Sequence, residues 1–536
     1  MPLYLFILLP LVSALIGYIS HAKGVKFLLM LLQFFFLGMG VLNFIVVRNF
    51  GTKFETLGGH KVGLGITLRA DLFGSVMVVL TLFIFTCLIL YNYNKSYMNH
   101  LFMFLFLTLQ GLLCGLFLSN DLFNIYVLVE VSTIVVSILI IFKKDSSSIY
   151  DGMVYFLTNL ASMTLFFLGI GYMYKIFGTL DLTLLAERIA LVENKETLIL
   201  PFVLLVTAVD LKAAIMPLFS WLPKAHGTAS APSIISATLS GLYVKGGVYL
   251  FIRLLNLFDP VFDGGEIFLV FGLMTAFVGF IFALSQTDIK LILAYSTVSQ
   301  IGLIVFGLSI GSEYSYWGAI YHICNHAIFK TTLFLTAGII IDEYGTRDIR
   351  EVRGVFRRMP FISMAIIFAM LGITGAPLFN GSFSKYLIQS GSSGSLIYEV
   401  SFFIINLGTI MYFIKYSTML LGKTNERSKI PWNQTLITIF LASICLAGGV
   451  FGSYFMEILF GINASISIQS YYDKFKIYML SLVLGIAFYY FLYHKIGLFK
   501  KIREIELTFN QIVLSIFIFY SGFLIYMYIN YGNMFV

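Results

Sequence analysis

Residues 210–232 read DLKAAIMPLFSWLPKAHGTASAP, which puts a lysine and two prolines in or just after a long apolar run. Pro217 lacks a backbone donor and clashes with the carbonyl of Ala213, so a helix here should bend or open; Pro223 follows in the same stretch. A carbonyl freed at membrane depth is tolerated only inside protein or beside a water-filled cavity. The stretch therefore predicts an interrupted transmembrane helix close to a charged side chain, Lys212.

A second interruption has the same character. In LGITGAPLFNGSFSK, residues 371–385, an apolar run contains Gly375, Pro377 and Gly381 and ends at Lys385. Interrupted helices at corresponding positions of two halves typically mark the central site of a transporter, although ordinary helix kinks are the alternative. The interruptions fall in two similar blocks of five predicted helices, 101–257 and 266–422. An odd number of spans per block predicts that the two repeats are inverted relative to each other.

Composition places the chain in the membrane. Apolar residues make up 59 % of it and charged residues only 11 %, far from the roughly 25 % charged of a soluble domain. Apolar runs of about 18 residues span a bilayer as helices, and we count about sixteen of them. We predict an all-α polytopic membrane protein with about 14–16 transmembrane helices. Residues 1–100 would hold the first three helices, and residues 434–536 accessory helices after the two repeats.

The basic residues predict an orientation rather than a nucleic-acid partner. If both termini face outward, the cytoplasmic loops carry about 19 Lys and Arg and the opposite loops about 8, as the positive-inside rule requires. The basic stretch 347–358 lies between two spans and fits this topology, so we expect no nucleic-acid binding. The predicted location is the cell membrane, where lipid surrounds the chain.

The sequence holds no sign of a cofactor or metal site. It has no Gly-rich phosphate loop, no haem or iron–sulfur pattern and no CxxC, and its four cysteines lie within spans, where small apolar fillers are expected. We therefore expect no cofactor and no metal, and we assign any redox chemistry to another chain.

Five ionisable residues lie inside the apolar runs: Glu130, Lys212, Lys245, Lys330 and Lys385. Charge at membrane depth is costly, so such residues persist mainly where they face a protein interior or a watered path. Burial favours a neutral lysine amine, whereas a neighbouring carboxylate favours the charged form. A series of such groups is typical of a proton relay.

The relay can be extended along one helix face. His322, His326 and Lys330 are spaced by four residues and so stack on one side of a helix, and histidine exchanges protons near neutral pH. Lys212 needs a carboxylate from another helix, for which Glu130 is the candidate. Asp210 stays open, because it could line water, cap the opened turn or have no functional role.

Three further basic residues, Lys290, Lys415 and Arg253, lie nearer predicted span ends. Long basic side chains at such positions extend to the membrane interface, so we expect them to be topological anchors rather than relay groups.

Seven segments resemble the antiporter-like family shared by Mrp-type cation/proton antiporters and the proton-pumping membrane subunits of complex I and membrane-bound hydrogenases, and the D-type Mrp subunit looks most similar. They are DLFNIYVLVE (121–130), DLKAAIMPLFSWLPKAH (210–226), SAPSIISATLSGLYVKGGVY (230–249), DIKLILAYSTVSQIG (288–302), HICNHAIFKTTLFLTAG (322–338), GTRDIREVRG (345–354) and GAPLFNGSFSK (375–385).

The resemblance implies roles for matching positions. Glu130 and Lys212 correspond to the family's glutamate–lysine pair, Lys245 to its central lysine, Lys330 with His326 to the second-half relay and Lys385 to its terminal position. It also implies other membrane subunits as partners. Two features depart from the family: Asp210 stands where relatives usually carry an uncharged residue, and two extra spans follow residue 455.

Two complex-level functions stay open at this point. The chain could be a subunit of a Mrp-type Na⁺/H⁺ antiporter, or a proton- or sodium-pumping subunit of a redox-driven complex. Protons are the expected cargo on the strength of the buried charges, whereas sodium rests on the resemblance alone. In either case the chain would be a transporter subunit with no redox chemistry of its own.

Overall fold

The computed structural model describes residues 1–20, 24–63, 65–227, 231–424, 426–464, 466–495 and 497–532, and α-helices dominate it. Parts of the predicted loops 21–26 and 220–232, including Ser230 of one family segment, and the last four residues of the predicted accessory region lie outside the described residues. The first helices are α1 (Leu5–Ile19), α2 (Val25–Phe50), α3 (Leu72–Asn92), α4 (His100–Leu118), α5 (Leu122–Ile140), α6 (Ser146–Phe177), α7 (Leu182–Ile189), α8 (Ile199–Lys212), α9 (Trp221–Gly227), α10 (Ser233–Thr238) and α11 (Val244–Phe258).

The second half of the chain is equally helical. Its helices are α12 (Gly265–Ser285), α13 (Ile289–Ser309), α14 (Glu313–Tyr344), α15 (Val355–Arg358), α16 (Pro360–Thr374), α17 (Asn380–Ser392), α18 (Leu396–Ser417), α19 (Trp432–Val450), α20 (Gly452–Phe460), α21 (Ile468–Ala487), α22 (Leu498–Arg503) and α23 (Phe509–Tyr531). Two short antiparallel strands, β1 (Lys53–Thr56) and β2 (Thr67–Ala70), form a hairpin between α2 and α3.

The helices confirm an all-α polytopic membrane protein. Within the described ranges, 13 helices are long and apolar enough to cross a membrane. The shorter apolar helix α1, the interrupted α8 and the interrupted pair α16–α17 provide further crossings at predicted positions. The crossings therefore correspond to the predicted runs, at the upper end of the predicted range.

The two halves of the chain share equivalent helix N-caps and equal helix lengths, which reveal the internal repeat. Asp121 caps α5 by accepting from the Asn124 amide at 2.8 Å, and Asp288 caps α13 by accepting from the Lys290 amide at 2.8 Å. Such caps satisfy amides that have no partner within the helix. The helix after each capped helix, α6 and α14, is 32 residues long and ends at a glycine with φ near 66°, Gly178 (66°) and Gly345 (67°).

The main chain closes each repeat in the same way. The Leu122 amide donates to the Leu180 carbonyl at 2.9 Å, and the Ile289 amide donates to the Arg347 carbonyl at 2.9 Å. Each bond ties the segment after the long helix back to the start of the capped helix. Because an odd number of crossings separates α5 from α13, the two closures lie on opposite membrane faces, as inverted repeats require.

The first interruption begins directly after Lys212. Ala214 adopts a left-handed conformation with φ 57°, and the Ile215 amide donates to the Asp210 carbonyl at 2.9 Å. Pro217 lies in the opened segment, as predicted. Pro223 instead lies inside α9, so it belongs to the resumed helix and not to the break.

At the second interruption, α16 ends with the same type of hydrogen bond, from an amide to the carbonyl five residues before it. Gly375 has φ 79°, and the Ala376 amide donates to the Leu371 carbonyl at 2.9 Å. Pro377 lies in the break. Gly381 lies inside α17, where a side chain would overlap the Gly372 carbonyl, so this glycine permits close packing of the two half-helices instead of opening the chain.

Ion pairs connect loops on the face that the basic residues predict to be cytoplasmic. Lys95 pairs with Asp342 at 2.8 Å, and Lys224 pairs with Glu506 at 2.7 Å. Alternating crossings place all four residues on one side and both termini on the other. Successive loops therefore alternate between the two faces, as the prediction of the cytoplasmic loops assumes.

We expect Gly302→Ala to destabilise the fold. A methyl group at Gly302 on α13 would overlap the backbone of Ala276 on α12, and overpacking a close contact costs about 1–3 kcal/mol. The measurement is the melting temperature of the purified protein in detergent. Gly171→Ala on α6 is the control, since no atom lies within 4 Å of a methyl group there. Equal melting temperatures of the two variants would contradict the packing of α12 on α13.

Candidate functional site

Six of the seven predicted relay residues are enclosed by protein. Lys245, His322, His326 and Lys330 are 0 % exposed, and Lys212 and Lys385 are 4 % exposed. Glu130 is half-buried and lies beside the exposed apolar residues Val127 and Val131 of α5. The fold therefore removes these amines and imidazoles from lipid, which is the condition for an internal path.

Lys212 is bound by a hydroxyl rather than by a carboxylate. Its Nζ donates to Thr133 Oγ1 at 2.7 Å, and Thr133 lies one helical turn after Glu130 on α5. Glu130 is near enough to act electrostatically on Lys212, yet in the described part of the chain no ion pair of 4.0 Å or less joins them. Glu130 Oε2 is buried without a hydrogen-bond partner there. Glu130 and Lys212, which the sequence predicts to pair, thus lie near each other without a direct contact.

A small cavity lies against Lys212. It measures about 20 Å³ and is lined in part by Ser132, Tyr243 and Gly247. The hydroxyl of Tyr243 lies 3.3 Å from both Ser132 Oγ and Thr133 Oγ1. The lining is mostly apolar, but a cavity of this size has room for one water, for which Ser132, Lys212 and Tyr243 are the side-chain hydrogen-bonding partners.

The middle of the site is a chain of hydroxyls and carbonyls between two lysines. Lys245 Nζ donates to the Ser240 carbonyl, and Ser240 Oγ lies 2.6 Å from Thr297 Oγ1. Thr297 donates to the Leu293 carbonyl at 3.0 Å, and this carbonyl also accepts from Lys330 Nζ at 2.7 Å. Ser240 lies in a π-helical turn, residues 239–243, a local irregularity that is frequent at functional sites.

The histidines connect this chain to the second break. The rings of His326 and His322 lie 6.2 Å apart, and the nitrogens of His326 have no hydrogen-bond partner among the described residues. His322 contacts Ser384 Oγ at 2.8 Å through Nδ1 and Gln300 Oε1 at 3.1 Å through Nε2. Ser384 directly precedes Lys385 on α17, so His322 contacts the half-helix that carries the last lysine.

Lys385 is held by the interruption itself. Its Nζ donates to the carbonyl of Ile373, four residues before Pro377, at 2.8 Å. It also donates to Asn406 Oδ1 at 2.8 Å. The opened helix therefore supplies a ligand for the lysine that follows it.

Sequence reasoning did not identify the uncharged polar residues that bind these lysines, His322 or one another in the site. They are Thr133, Ser132, Tyr243, Ser240, Thr297, Ser296, Gln300, Ser384 and Asn406. The available signal was a polar side chain inside an apolar span. That signal is weak, because many buried serines and threonines bond only to a carbonyl of their own helix, as Thr81 does with Met77.

Three comparisons relate the chain to known proteins. The family described as NADH:quinone oxidoreductase/Mrp antiporter, transmembrane, matches residues 119–414. The chain belongs to this family. It is 33 % identical over 350 residues to the D-type subunit of the Na(+)/H(+) antiporter of Alkalihalophilus pseudofirmus, an alignment that covers 64 % of this chain and 70 % of that protein.

The antiporter family fold also appears in solved complexes. A chain of the Mrp complex from Dietzia sp. DQ12-45-1b superposes with a TM-score of 0.79 at 20 % identity, covering 89 % of this chain and 99 % of that one. A chain of respiratory complex I from Thermus thermophilus gives 0.75 at 20 % identity, covering 90 % and 99 %. At these identities the likeness shows the fold alone.

Asp210 differs from the other charged residues of this antiporter-family chain. Its side chain is 0 % exposed, and neither carboxyl oxygen has a hydrogen-bond partner in the described part of the molecule. The opened turn is closed by the main-chain carbonyl of Asp210, which accepts from Ile215. The side chain therefore does not cap the turn.

The prediction that Lys290 and Lys415 reach the membrane interface is wrong. Lys290 and Lys415 are each 3 % exposed; the first donates to the Ala231 carbonyl at 2.7 Å and the second to the Leu284 carbonyl at 2.6 Å. Arg253 pairs with Asp71 at 2.6 Å. Packing against other helices covers these span ends, so the side chains find protein partners instead of water.

We expect Lys245→Met to leave the melting temperature unchanged or to raise it. Lys245 has no carboxylate partner in the described structure, and replacing a buried charge by an apolar side chain of similar length is often neutral or stabilising. Arg253→Met is the matched comparison, since among the described residues it leaves Asp71 with Arg69 at 3.2 Å as its remaining ion-pair partner, beside the Gly74 amide from which Asp71 accepts. Breaking a buried pair costs about 3–5 kcal/mol. A large loss of stability in Lys245→Met alone would indicate a structural role for this lysine.

Proposed function

We propose that the chain is the proton-translocating subunit of a multisubunit Mrp-type Na⁺/H⁺ antiporter. The observation that carries the proposal is the file of buried titratable side chains, from Lys212 at the first break to Lys385 at the second. Relatives are named as Na(+)/H(+) antiporter subunits, and the fold recurs in a Mrp complex. A file of this kind has no evident purpose in a scaffold, because each buried charge costs folding free energy.

Glu130 controls the first step. In the arrangement described here, Lys212 is bound to Thr133 and the glutamate is not in direct contact. Closing the pair to about 4 Å would stabilise the lysine's proton by about 4 kcal/mol at an effective dielectric constant near 20. Opening it removes that stabilisation and releases the proton toward Lys245. Tyr243 lines the Lys212 cavity and stands two residues before Lys245 in the chain, which makes it the candidate link between the two lysines.

The later steps run through groups that both donate and accept. The hydroxyls of Ser240 and Thr297 bond to each other and that of Ser296 accepts from Lys330. Because a hydroxyl has a donor and two acceptor sites, these three groups are the candidate carriers between Lys245 and Lys330. The proton then moves through His326 and His322 to Lys385 and leaves on the outer side. Imidazole suits this part of the path because it takes up and gives up protons near neutral pH.

The second candidate is a pumping subunit of a redox-driven complex. The same fold occurs in respiratory complex I, and the family includes NADH:quinone oxidoreductase subunits. In that setting the same relay would be driven by chemistry in other subunits. In both settings the chain lies in the cell membrane among other membrane subunits, and its exposed apolar helix faces contact those subunits or lipid.

We expect Lys245→Ala to lower the initial rate of proton translocation at least about tenfold, because the proposed path passes from the first half to the second through this lysine. The rate is measured by a pH-sensitive dye in membrane vesicles that hold the intact complex. Lys476→Ala on α21 is the control, since that lysine is exposed and pairs only with Asp473 at 3.4 Å among the described residues. Translocation at the wild-type rate in Lys245→Ala would refute the relay.

The parent complex can be assigned by purifying it intact. A Mrp-type antiporter should contain membrane subunits only, and its vesicles should couple sodium to proton flux. Mass spectrometry identifies the subunits, and flux is compared in sodium and potassium buffers. Co-purification of iron–sulfur, flavin or nickel subunits would favour the redox-driven candidate instead.

A further inference from the structure

The helix α21 packs on the protein through a polar stripe. Most of its residues are exposed at the protein surface, but two half-buried and three buried ones recur at intervals of three or four positions, along one side of the helix. They are Tyr471, Lys474, Tyr478, Ser481 and Gly485. The helix lies beyond residue 414, where the family match ends. Polar side chains within a membrane need polar partners, so this stripe indicates a contact that α21 is built to make.

Two hydroxyls of the stripe bind the two sides of the second break. Tyr478 Oη lies 3.1 Å from Thr374 Oγ1, at the end of α16. Thr374 gives its own proton to the Met370 carbonyl at 2.8 Å, so Tyr478 is the donor. Tyr471 Oη accepts from the amide of Leu378, inside the break. Because seven residues make about two helical turns, α21 spans the break with one tyrosine at each side.

Leu378 depends on contacts from other helices because its own backbone is unfavourable. Its φ is 71°, in the left-handed region that residues other than glycine rarely adopt. Its side chain is 55 % exposed, so side-chain packing contributes little to holding this conformation. The backbone is held by the Tyr471 hydroxyl and by close packing on Gly449 of α19, where a side chain would overlap the Leu378 carbonyl. The break is therefore fixed by neighbouring helices.

The same segment determines a ligand of Lys385. The lysine Nζ donates to the carbonyl of Ile373, the residue directly before Thr374. Lys385, Tyr471 and Tyr478 also line one cavity of about 60 Å³ at the break, among apolar side chains. A displacement of Thr374 would move the carbonyl that binds the lysine. The two tyrosines are thus close to Lys385 in space and joined to it through the backbone of the break.

The alternative is that α21 carries its tyrosines as membrane-interface anchors. Tyrosine is common at the ends of spans, where the ring lies among lipid headgroups. Tyr472 fits that description, since it is 54 % exposed and Lys476 Nζ lies 4.4 Å from its ring centre. Tyr471 and Tyr478 differ because their hydroxyls bind the break instead of facing outward.

We propose that Tyr471 and Tyr478 are positioning residues for Lys385. They hold the second break in the opened form whose Ile373 carbonyl binds the lysine. The inference rests on the proposed function, in which Lys385 is the last group of the file. Among the described residues the ligands of the lysine are Ile373 and Asn406, so the tyrosines act through the break and not on the amine itself. A helix beyond the family match thereby takes part in transport.

Amide hydrogen exchange tests the geometry without measuring transport. In Tyr471→Phe the Leu378 amide loses its acceptor, so it should exchange at least about tenfold faster than in the wild type. The measurement is exchange followed by mass spectrometry on the intact complex in detergent. Tyr472→Phe is the matched control, since it removes an exposed hydroxyl from the neighbouring position and should leave the exchange unchanged. Equal exchange in Tyr471→Phe and the wild type would overturn the proposal.

Translocation rates test whether holding the break matters. Tyr471→Phe and Tyr478→Phe should each lower the initial rate of proton translocation about three- to tenfold, the effect of losing one hydrogen bond, whereas Tyr472→Phe behaves as wild type. The melting temperature should change little, because the rings remain and Thr374 keeps its bond to Met370. Thr374→Val should act like Tyr478→Phe, and Thr374→Ser, which keeps the hydroxyl, should retain the rate. Wild-type rates in both tyrosine variants would leave α21 a purely structural helix and overturn the positioning role.

A double variant tests whether Tyr478 acts through Lys385. Asn406 Oδ1 accepts from the lysine at 2.8 Å, beside the Ile373 carbonyl. Asn406→Ala together with Tyr478→Phe weakens both contacts, so the combined loss of rate should exceed the product of the two single losses by at least about threefold. A structural effect elsewhere gives the product alone. A combined loss no larger than the product would therefore overturn the action through Lys385.

The outcomes also separate this inference from the proposed function. If Lys245→Ala abolishes translocation while both tyrosine variants keep the wild-type rate, only the positioning role fails. If the wild-type complex translocates no protons, the proposed function fails and the positioning role with it. Faster exchange of Leu378 in Tyr471→Phe would then still assign the holding of the break to α21.

Discussion

The structure depends on one constraint: an ammonium group in the membrane interior needs oxygen ligands that the protein itself must supply. Five buried lysines meet this need by donating to main-chain carbonyls. These are Lys245 to Ser240, Lys330 to Leu293, Lys385 to Ile373, Lys290 to Ala231 and Lys415 to Leu284. A regular helix offers few free carbonyls, since each is bonded within the helix. Interruptions, π-turns, loops and helix ends supply four of these carbonyls, whereas that of Leu293 lies inside α13 and also accepts from Thr297 Oγ1.

The two repeats use the same scaffold for different chemistry. Both have an aspartate cap, a helix of 32 residues and an interruption closed by a bond that spans five residues. In the first repeat the lysine precedes the break and a glutamate lies near it; in the second the lysine follows the break and an asparagine binds it. This asymmetry makes the first half the place where a carboxylate can control a lysine's proton. Among the described residues, the ligands of Lys385 are the Ile373 carbonyl and the Asn406 amide oxygen, both uncharged.

Much of the fold and part of the candidate site could be predicted without coordinates. Pro217 and Pro377 indicate the two breaks because proline removes a backbone donor wherever it stands. Lys245 and Lys330 stand out because charge is rare in apolar runs. Pro223 and Gly381 could not be assigned, since either residue fits a resumed helix as well as a break. Lys290 and Lys415 were misjudged because distance from a span end does not reveal whether another helix covers that end.

By itself, the sequence determined that the chain spans a membrane many times, where its helices open and which ionisable residues must avoid lipid. These properties follow from the cost of moving each residue type into hydrocarbon, which is a property of the residue and its local run. Only the tertiary structure decided which oxygen each lysine binds and that Glu130 and Lys212 stand apart. It also decided that Glu506 and Ser515 of the C-terminal segment line a cavity at the first helix break. Those relations join helices far apart in the chain, and local pattern carries no information about them.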